Sequence, residues 1–409
     1  MYSQLVPISF EANERRYAAP RAPVLAICAD GWDPAYVDDA LERDLMPRLR
    51  EALDGGGIYR VGRAQVPTFT NPNNVAIVTG VSAAANGIAG NHYLDPGGNE
   101  VQVTDPSFLR ATTIHAAALE AGVGVVCVTA KDKLRRLLST GGVPAFSAES
   151  AHEQTLPDGT RLIEAVGRSN PGIYDWELSS YTVELALALA PRLDASLVYA
   201  SLTDYVQHSA APGEPLADAF YREIDRSLGA ALDAGFVVGL VADHGMRAKS
   251  GPSGEPNIRF LDDVLKAAGV RGGRTLCPIT DPYVAHHAAL GSLAWVHLAD
   301  LDELDAARGA LAAVPGVEAV LDRSAAAEAF ELPEDRIGDL VVLGDGETVL
   351  GRSADFHDLS SLGGPLRSHG GLHERRVPII LCQPVAANGT VWPEVRNRDL
   401  HDLLLNHTP

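Results

Sequence analysis

Asp30, Asp204, His208, Asp243, His244 and His369 are the residues of this chain best suited, by type and position, to hold cations. Asp30 closes the apolar run PVLAICAD. Asp204 follows LVYASLT, with His208 four residues on, and Asp243-His244 follow VVGLVA. His369 stands in the loop RSHGG, shortly before the apolar run VPIILC. Carboxylates and imidazoles are oxygen and nitrogen donors for divalent metals. Three such ligands per ion is ordinary for zinc, and six suit a pair of ions about 3.5–4 Å apart, the arrangement of two-metal phosphoryl transfer. A set without cysteine also admits manganese or iron. Singly, each residue has a plainer use. A strand-end aspartate caps the next helix, an Asp-His pair at i,i+4 decorates a helix face, and His369 suits an ordinary loop.

Two further groups bear chemistry. The segment VPTFTNPNNVAIVTG (66–80) presents the hydroxyls of Thr68 and Thr70 in a turn-rich stretch. If Asn71-Pro72-Asn73 starts a helix, a hydroxyl there meets backbone N–H groups and the positive end of the helix dipole. Metal coordination would lower its pKa and make it a nucleophile. The plainer alternative is a capping or turn residue. Lys131 and Lys133, in TAKDKL, follow the run VVCVTA. They form either a solvated charged turn or a seat for an anionic group.

These residues meet only if the strands that carry them run side by side. PVLAICADG, VGVVCVTA, ASLVYASLT and FVVGLVADHG read as buried strands, and AIVTG (76–80) as a further short apolar run. Between them MPRLREALDGGG, ATTIHAAALEAG, SSYTVELALALAPRL and LADAFYREIDRSLGAALDAG read as helices. Apolar strands alternating with helices predict an α/β fold with a mostly parallel sheet covered on both faces. In such sheets ligands bind beyond the carboxyl ends of the strands, where the polar residues above fall. The rhythm changes after about residue 250. A Gly/Pro/Ser loop, KSGPSGEPN, leads into GSLAWVHLAD, LDELDAARGALAAVPGVEAVLD and DLVVLGD, a pattern of a small α+β unit. The expected division is a core of residues 1–254 and 361–409, with a smaller α+β cap inserted at 255–360.

Composition bounds the rest. The 409 residues are 46% hydrophobic and 21% charged, a globular balance that excludes wholesale disorder and coiled coil. Acidic residues number 53 against 33 basic, a net charge of -20. Such a chain has no global attraction for nucleic acid or an anionic membrane. A small anionic substrate then needs local positive charge, which bound cations supply. Cys28, Cys127, Cys277 and Cys382 form no CxxC pair, and all but Cys277 sit inside apolar runs, as suits a reducing compartment. The first residues lack the pattern of a secretory signal, and no apolar run approaches the roughly 18 residues of a membrane span. The expectation is a soluble, cytoplasmic protein, its oligomeric state left open, a homodimer included.

The motifs PTFTNPNNVAIVTG, IAGNHYLD, TDYVQHSAAPG, VADHGM and RSHGG stand in one order along nearly the whole chain. In that ordered set the chain resembles the alkaline phosphatase superfamily, in its nucleotide pyrophosphatase/phosphodiesterase-like branch, and within it the enzymes that hydrolyse phosphonoacetate. The resemblance implies an alkaline-phosphatase-like core and two divalent metals, zinc foremost. It assigns one to Asp204, His208 and His369 and the other to Asp30, Asp243 and His244. It implies Thr70 as nucleophile and ligand of the second metal, with Thr68 the second choice. It implies Asn91 as the partner of a phosphoryl oxygen, and Lys131 and Lys133 as the seat of a substrate carboxylate. Asn71 stands where many phosphodiesterases have an aromatic residue stacked on a nucleobase, which argues against a nucleotide substrate. His373 is the alternative ligand to His369, His92 a neighbour of the site, and His286-His287 interior residues or cleft lining from the cap.

The reaction so implied is hydrolysis of the C–P bond of phosphonoacetate to acetate and phosphate through a phospho-threonine. The nearest alternative is a phosphodiesterase or phosphomonoesterase of the same superfamily. Independent phosphoglycerate mutases, with a serine nucleophile and a differently placed insertion, fit less well. A metal-bound binding protein that has lost catalysis is disfavoured by the complete set of ligands and hydroxyl.

Overall fold

The computed structural model describes residues 8–279, 289–360, 362, 364–385 and 394–408. Its centre is a seven-stranded sheet. From edge to edge the order is Ile58–Arg63, Arg376–Leu381, Val237–Val241, Val24–Cys28, Leu197–Ser201, Val125–Thr129 and Ala145–Ser147. The last five run parallel to one another. The first two join antiparallel, so the sheet is mixed but mostly parallel.

The strand sequences explain why both faces are covered. In Val24–Cys28, Leu25 and Ile27 enter one apolar core while Val24, Ala26 and Cys28 enter the other. Val125–Thr129 divides the same way, with Val126 and Val128 opposed to Val125 and Cys127. Successive side chains of a strand point to opposite faces, so a run apolar at every position needs cover on both. One core is closed by Leu178–Leu189 and Pro215–Asp233, the other by Ile114–Glu120 and Leu400–Asn406. Because the strands ending at Cys28, Thr129, Ser201 and Val241 are parallel, Asp30, Lys131, Asp204 and Asp243 emerge on one edge.

A second sheet has the order Arg274–Leu276, Leu293–His297, Leu340–Gly344, Val317–Asp322, all antiparallel. Helices Leu304–Ala312 and Arg323–Phe330 belong to the same stretch of chain. Leu293 and Trp295 on one face share a core with Val66 and Phe69. That face therefore buttresses the segment that leads into Thr70. Ala294 and Val296, on the other face, pack with Ala307 and Leu311. Among the described residues no helix is long and apolar enough to cross a membrane, and the four cysteines are buried and form no disulfide.

One element differs from its reading. AIVTG is the second half of a helix, Thr70–Thr79, ended by Gly80 in the left-handed region at φ 70. Asn71 through Thr79 are all buried. A helix buried on every side shows no amphipathic period, so its sequence looks like a turn followed by a strand. Pro72 fits because it falls in the first turn, where its missing N–H has no intrahelical acceptor.

Candidate active site

The parallel strand ends and three loops converge on one buried cluster. Asp30, Asp243 and His244 are completely shielded from solvent, and Asp204, His208 and His369 nearly so. His208 Nε2 is 3.0 Å from Asp204 Oδ2, and His369 Nε2 is 3.8 Å from the same oxygen. His244 Nε2 is 3.3 Å from Asp30 Oδ1. The histidines are oriented alike. Nδ1 lies 2.7 Å from the Arg367 carbonyl in His208, 2.9 Å from the Gly245 carbonyl in His244, and 2.7 Å from the Thr68 carbonyl in His369. An Nδ1–H donated to a carbonyl leaves the Nε2 lone pair facing the carboxylates, as in metal-ligating histidines.

Donor atoms fall into two groups whose members lie within 4.8 Å of one another: Asp204 with His208 and His369, and Asp30 with Asp204 and His244. Asp204 is common to both. Asp243, grouped by resemblance with Asp30 and His244, sits at the margin, its Oδ2 3.7 Å from His244 Nε2. Its oxygens already accept from the amides of Gly31 at 3.1 Å and His244 at 2.9 Å and from Asn74 Nδ2 at 3.3 Å. Both carboxylate oxygens of Asp30 are buried and accept no hydrogen bond among the described residues. Three buried carboxylates crowd here around the Lys131 ammonium, 3.0 Å from Asp204 Oδ1 and 3.6 Å from Asp30 Oδ2. Negative charge beyond what one ammonium offsets is costly to bury, so the donor set fits a pair of divalent cations.

The electrostatics follow from this crowding. Burial would raise the Asp204 carboxyl, but Lys131, then His208 and His369, outweigh it and hold it well below its ordinary range. Asp243 is pushed well above by burial and by the adjacent Asp30. Burial opposes a charged His244, yet Asp243 and Asp30 lift it to about 9. Burial, with His244 and His208 close by, drives His369 far down.

Thr70 is the first residue of its helix. Its Oγ1 lies 3.4 Å from His244 Nε2. Thr68 differs. It is wholly buried, and its hydroxyl donates to the Gly371 carbonyl at 3.0 Å while accepting from the Gly370 amide at 2.9 Å. Thr68 thus fastens the His369 loop, and Thr70 keeps the hydroxyl that faces the cluster.

The Asn73-Asn74 pair holds this helix start. Asn73 Nδ2 donates to the carbonyls of Gln65, Pro67 and Phe69, each at 3.1 Å, and its Oδ1 accepts from the Gln65 amide at 2.7 Å. Asn74 Oδ1 accepts from Tyr199 at 2.7 Å and Ser201 at 2.8 Å on the central sheet. The sequence signals these residues only as turn formers.

A pocket over the cluster is lined by Asp30, Thr70, Asn71, Asn91, Lys131, Lys133, Asp204 and His369, with Phe69, Leu134, Ser201, Leu202 and Ile279. Lys131 Nζ lies 3.0 Å from Asp204 Oδ1 and 3.6 Å from Asp30 Oδ2. The lysines therefore line a cleft instead of forming a solvated turn. Asn91 is buried, and its Oδ1 accepts no hydrogen bond among the described residues. His373 is not brought to the cluster; its Nε2 pairs with Glu318 at 2.8 Å. His286 and His287 lie outside the described residues. Ile279, which enters the lining from the edge of the second sheet, carried no signal beyond being apolar.

Residues 24–371 match the family model for type I phosphodiesterase / nucleotide pyrophosphatase. Among solved structures, phosphonoacetate hydrolase from Sinorhizobium meliloti 1021 is similar at 40% identity, with 98% of this chain and 99% of that chain covered and a TM-score of 0.91. It was crystallised in complex with phosphonoformate and with phosphonoacetate. Murine ectonucleotide pyrophosphatase / phosphodiesterase 5, an inactive variant in complex with AMP, shares 18% identity over 95% of this chain and 96% of that chain at a TM-score of 0.63, a likeness of fold.

Proposed function

The chain belongs to the type I phosphodiesterase / nucleotide pyrophosphatase family, and from that premise we propose that it hydrolyses the C–P bond of phosphonoacetate, releasing acetate and phosphate. The observation that carries the choice within the family is the pair Lys131 and Lys133 lining the same pocket as Thr70 and the metal-type cluster. A phosphonate needs cationic partners, and a carboxylate on the same small molecule needs a second cationic seat. Lys131 and Lys133 provide this seat beside the cluster.

Asp204, His208 and His369 would hold one divalent cation and Asp30, His244 and Asp243 the other, with Asp204 able to reach both and Thr70 completing the second set. Zinc suits these ligands best, with manganese and iron as alternatives. When bound, the cations offset phosphonate charge and lower the pKa of the Thr70 hydroxyl. Thr70 Oγ1 attacks phosphorus in line; the O–P bond forms as the C–P bond breaks. The electron pair leaves on carbon and spreads into the adjacent carboxylate as an enolate. Lys131 and Lys133 oppose that charge as it grows, an interaction stronger in the transition state than in the ground state. Asn91 holds a non-bridging oxygen. The carbon takes up one proton, equal to the one released from the Thr70 hydroxyl, and gives acetate. Water then cleaves the phospho-threonine to phosphate and returns a proton to Thr70.

Residues 255–360 would act as the cap beside the pocket, and Ile279 in the pocket lining supports that role. Four buried cysteines without a disulfide suit a cytoplasmic setting. The test is phosphate release from phosphonoacetate beside p-nitrophenyl phosphate and bis-p-nitrophenyl phosphate. Preference for the phosphonate supports the reading; turnover of an ester alone would reassign the substrate to the phosphodiesterase or phosphomonoesterase alternative.

A further inference from the structure

We propose that the buried pair Lys249–Glu374 positions the metal-type histidines, tying the loops of His244 and His369 to the four-stranded sheet. The inference rests on reading those histidines as ligands. Neither Lys249 nor Glu374 lines the pocket. Both are 0% exposed, and Lys249 Nζ lies 2.9 Å from Glu374 Oε1.

The connections from this pair run to both loops. The Glu374 backbone carbonyl accepts from the amide of Gly245, the residue after His244, at 2.8 Å. Its Oε2 accepts from the Gly371 amide at 3.0 Å, two residues past His369. The Gly371 carbonyl accepts from Thr68 Oγ1, and the Thr68 carbonyl faces His369 Nδ1 at 2.7 Å. Lys249 supplies the other end. Its Nζ donates to the Gly346 carbonyl at 3.0 Å, just past the strand Leu340–Gly344 of the second sheet. Its backbone is fixed by Leu366 and Asn257, each at 2.8 Å. One buried ammonium thus bonds both to the carboxylate that holds the His369 loop and to the sheet whose face backs the Thr70 segment.

A buried ion pair is weak evidence of stabilisation, since apolar residues of similar volume often serve as well. What apolar residues cannot do is accept the Gly371 amide and reach the Gly346 carbonyl together. Groups bonded directly to metal ligands typically alter metal affinity about 10–100-fold when removed. This pair acts through Gly371, Thr68 and Gly245, which puts the expected effect at the lower end of that range.

The test uses the full-length protein and two variants. Lys249→Met leaves Glu374 as an orphaned buried carboxylate and is expected to lower the melting temperature. Lys249→Met/Glu374→Gln removes both charges and the bond to Gly346 but keeps an acceptor for Gly371, so it avoids the orphaned carboxylate and reports the tie to the sheet. For the double variant the account expects zinc affinity about tenfold weaker and kcat down about tenfold. KM for phosphonoacetate stays within about twofold, because Lys131 and Lys133 are untouched. Amide exchange in the segment around Gly371 should be faster without added metal. A folded double variant with wild-type zinc affinity, kcat and exchange would overturn the proposal and leave the pair a fold element. His369→Ala is the control: unchanged zinc binding there would overturn the ligand reading, and the positioning role with it.

Discussion

The imidazoles of His244 and His369 stack face to face, with ring centroids 3.6 Å apart and planes 7° from parallel. One ring belongs to the end of a central strand and the other to a distant loop. Each has its Nδ1 against a different backbone carbonyl, so that both Nε2 atoms face the carboxylates. Stacking fixes the spacing and the carbonyls fix the direction. The protein itself thus sets the geometry of the cluster, which is what a site for charged chemistry requires.

The two threonines should separate cleanly. Thr70→Ala is expected to lower kcat at least about a thousandfold while leaving the urea midpoint near wild type. Thr68→Ala removes bonds to Gly370 and Gly371, and should cost about 1–3 kcal/mol of stability with a smaller loss of kcat. Paired kinetics and urea titrations check both; near-normal turnover by Thr70→Ala would move the nucleophile elsewhere.

Replacing Lys131 or Lys133 by Ala should lower kcat for phosphonoacetate by about 10²–10³-fold. Hydrolysis of p-nitrophenyl phosphate, which releases no carbanion, should fall by less than about tenfold. Steady-state kinetics on both substrates decide it. A rise in KM alone would mean the lysines hold substrate without assisting the bond to break.

Asn73→Ala should destabilise the chain by about 2–4 kcal/mol, because it strips hydrogen bonds from a buried turn where water cannot replace them. Guanidinium unfolding measures the loss. A change below about 0.5 kcal/mol would mean the loop before Thr70 is held by packing alone.

Acid should weaken the fold away from the site. His401 is buried against the Ile77 carbonyl, and burial lowers its pKa to about 4. His115, whose ring centroid lies 4.9 Å from that of His401, is driven down by burial and by His401 itself. Well above the unfolded pKa of about 6.5 both rings are neutral whether folded or not, and their contribution is complete. As pH falls from about 6.5 toward about 4, the unfolded chain binds protons that the folded one refuses, and stability declines. For His401 the loss is on the order of 3 kcal/mol. His401→Gln should flatten the dependence of the urea midpoint on pH between 7 and about 4.5; a slope equal to wild type would contradict the assignment.

Much of this was legible in the sequence, for identifiable reasons. Asp30, Asp204 and Asp243 each follow a buried apolar run, and parallel strands bring such residues to one edge. Of the helix Thr70–Thr79 only a start at Asn71-Pro72-Asn73 was raised by the sequence, and its second half passed for a strand, since burial on every side erases its period. The central position of Asp204 in both donor groups depends on how two strand ends splay, which no spacing encodes. Asn73 and Asn74 looked like turn residues because their role lies in side-chain bonds to segments far along the chain. Lys249 and Glu374 gave no signal at all, as a charged residue reads as exposed until its partner is found.

The central claim is that Thr70, the metal-type cluster and the two lysines together break a C–P bond. The most direct measurement is inorganic phosphate release from phosphonoacetate by the purified, zinc-loaded protein, beside the chelated protein and Lys131→Ala. The account predicts release that chelation abolishes and that the lysine substitution suppresses by about 10²-fold or more. Phosphate release from an ester but none from phosphonoacetate, in the same preparation, would contradict it.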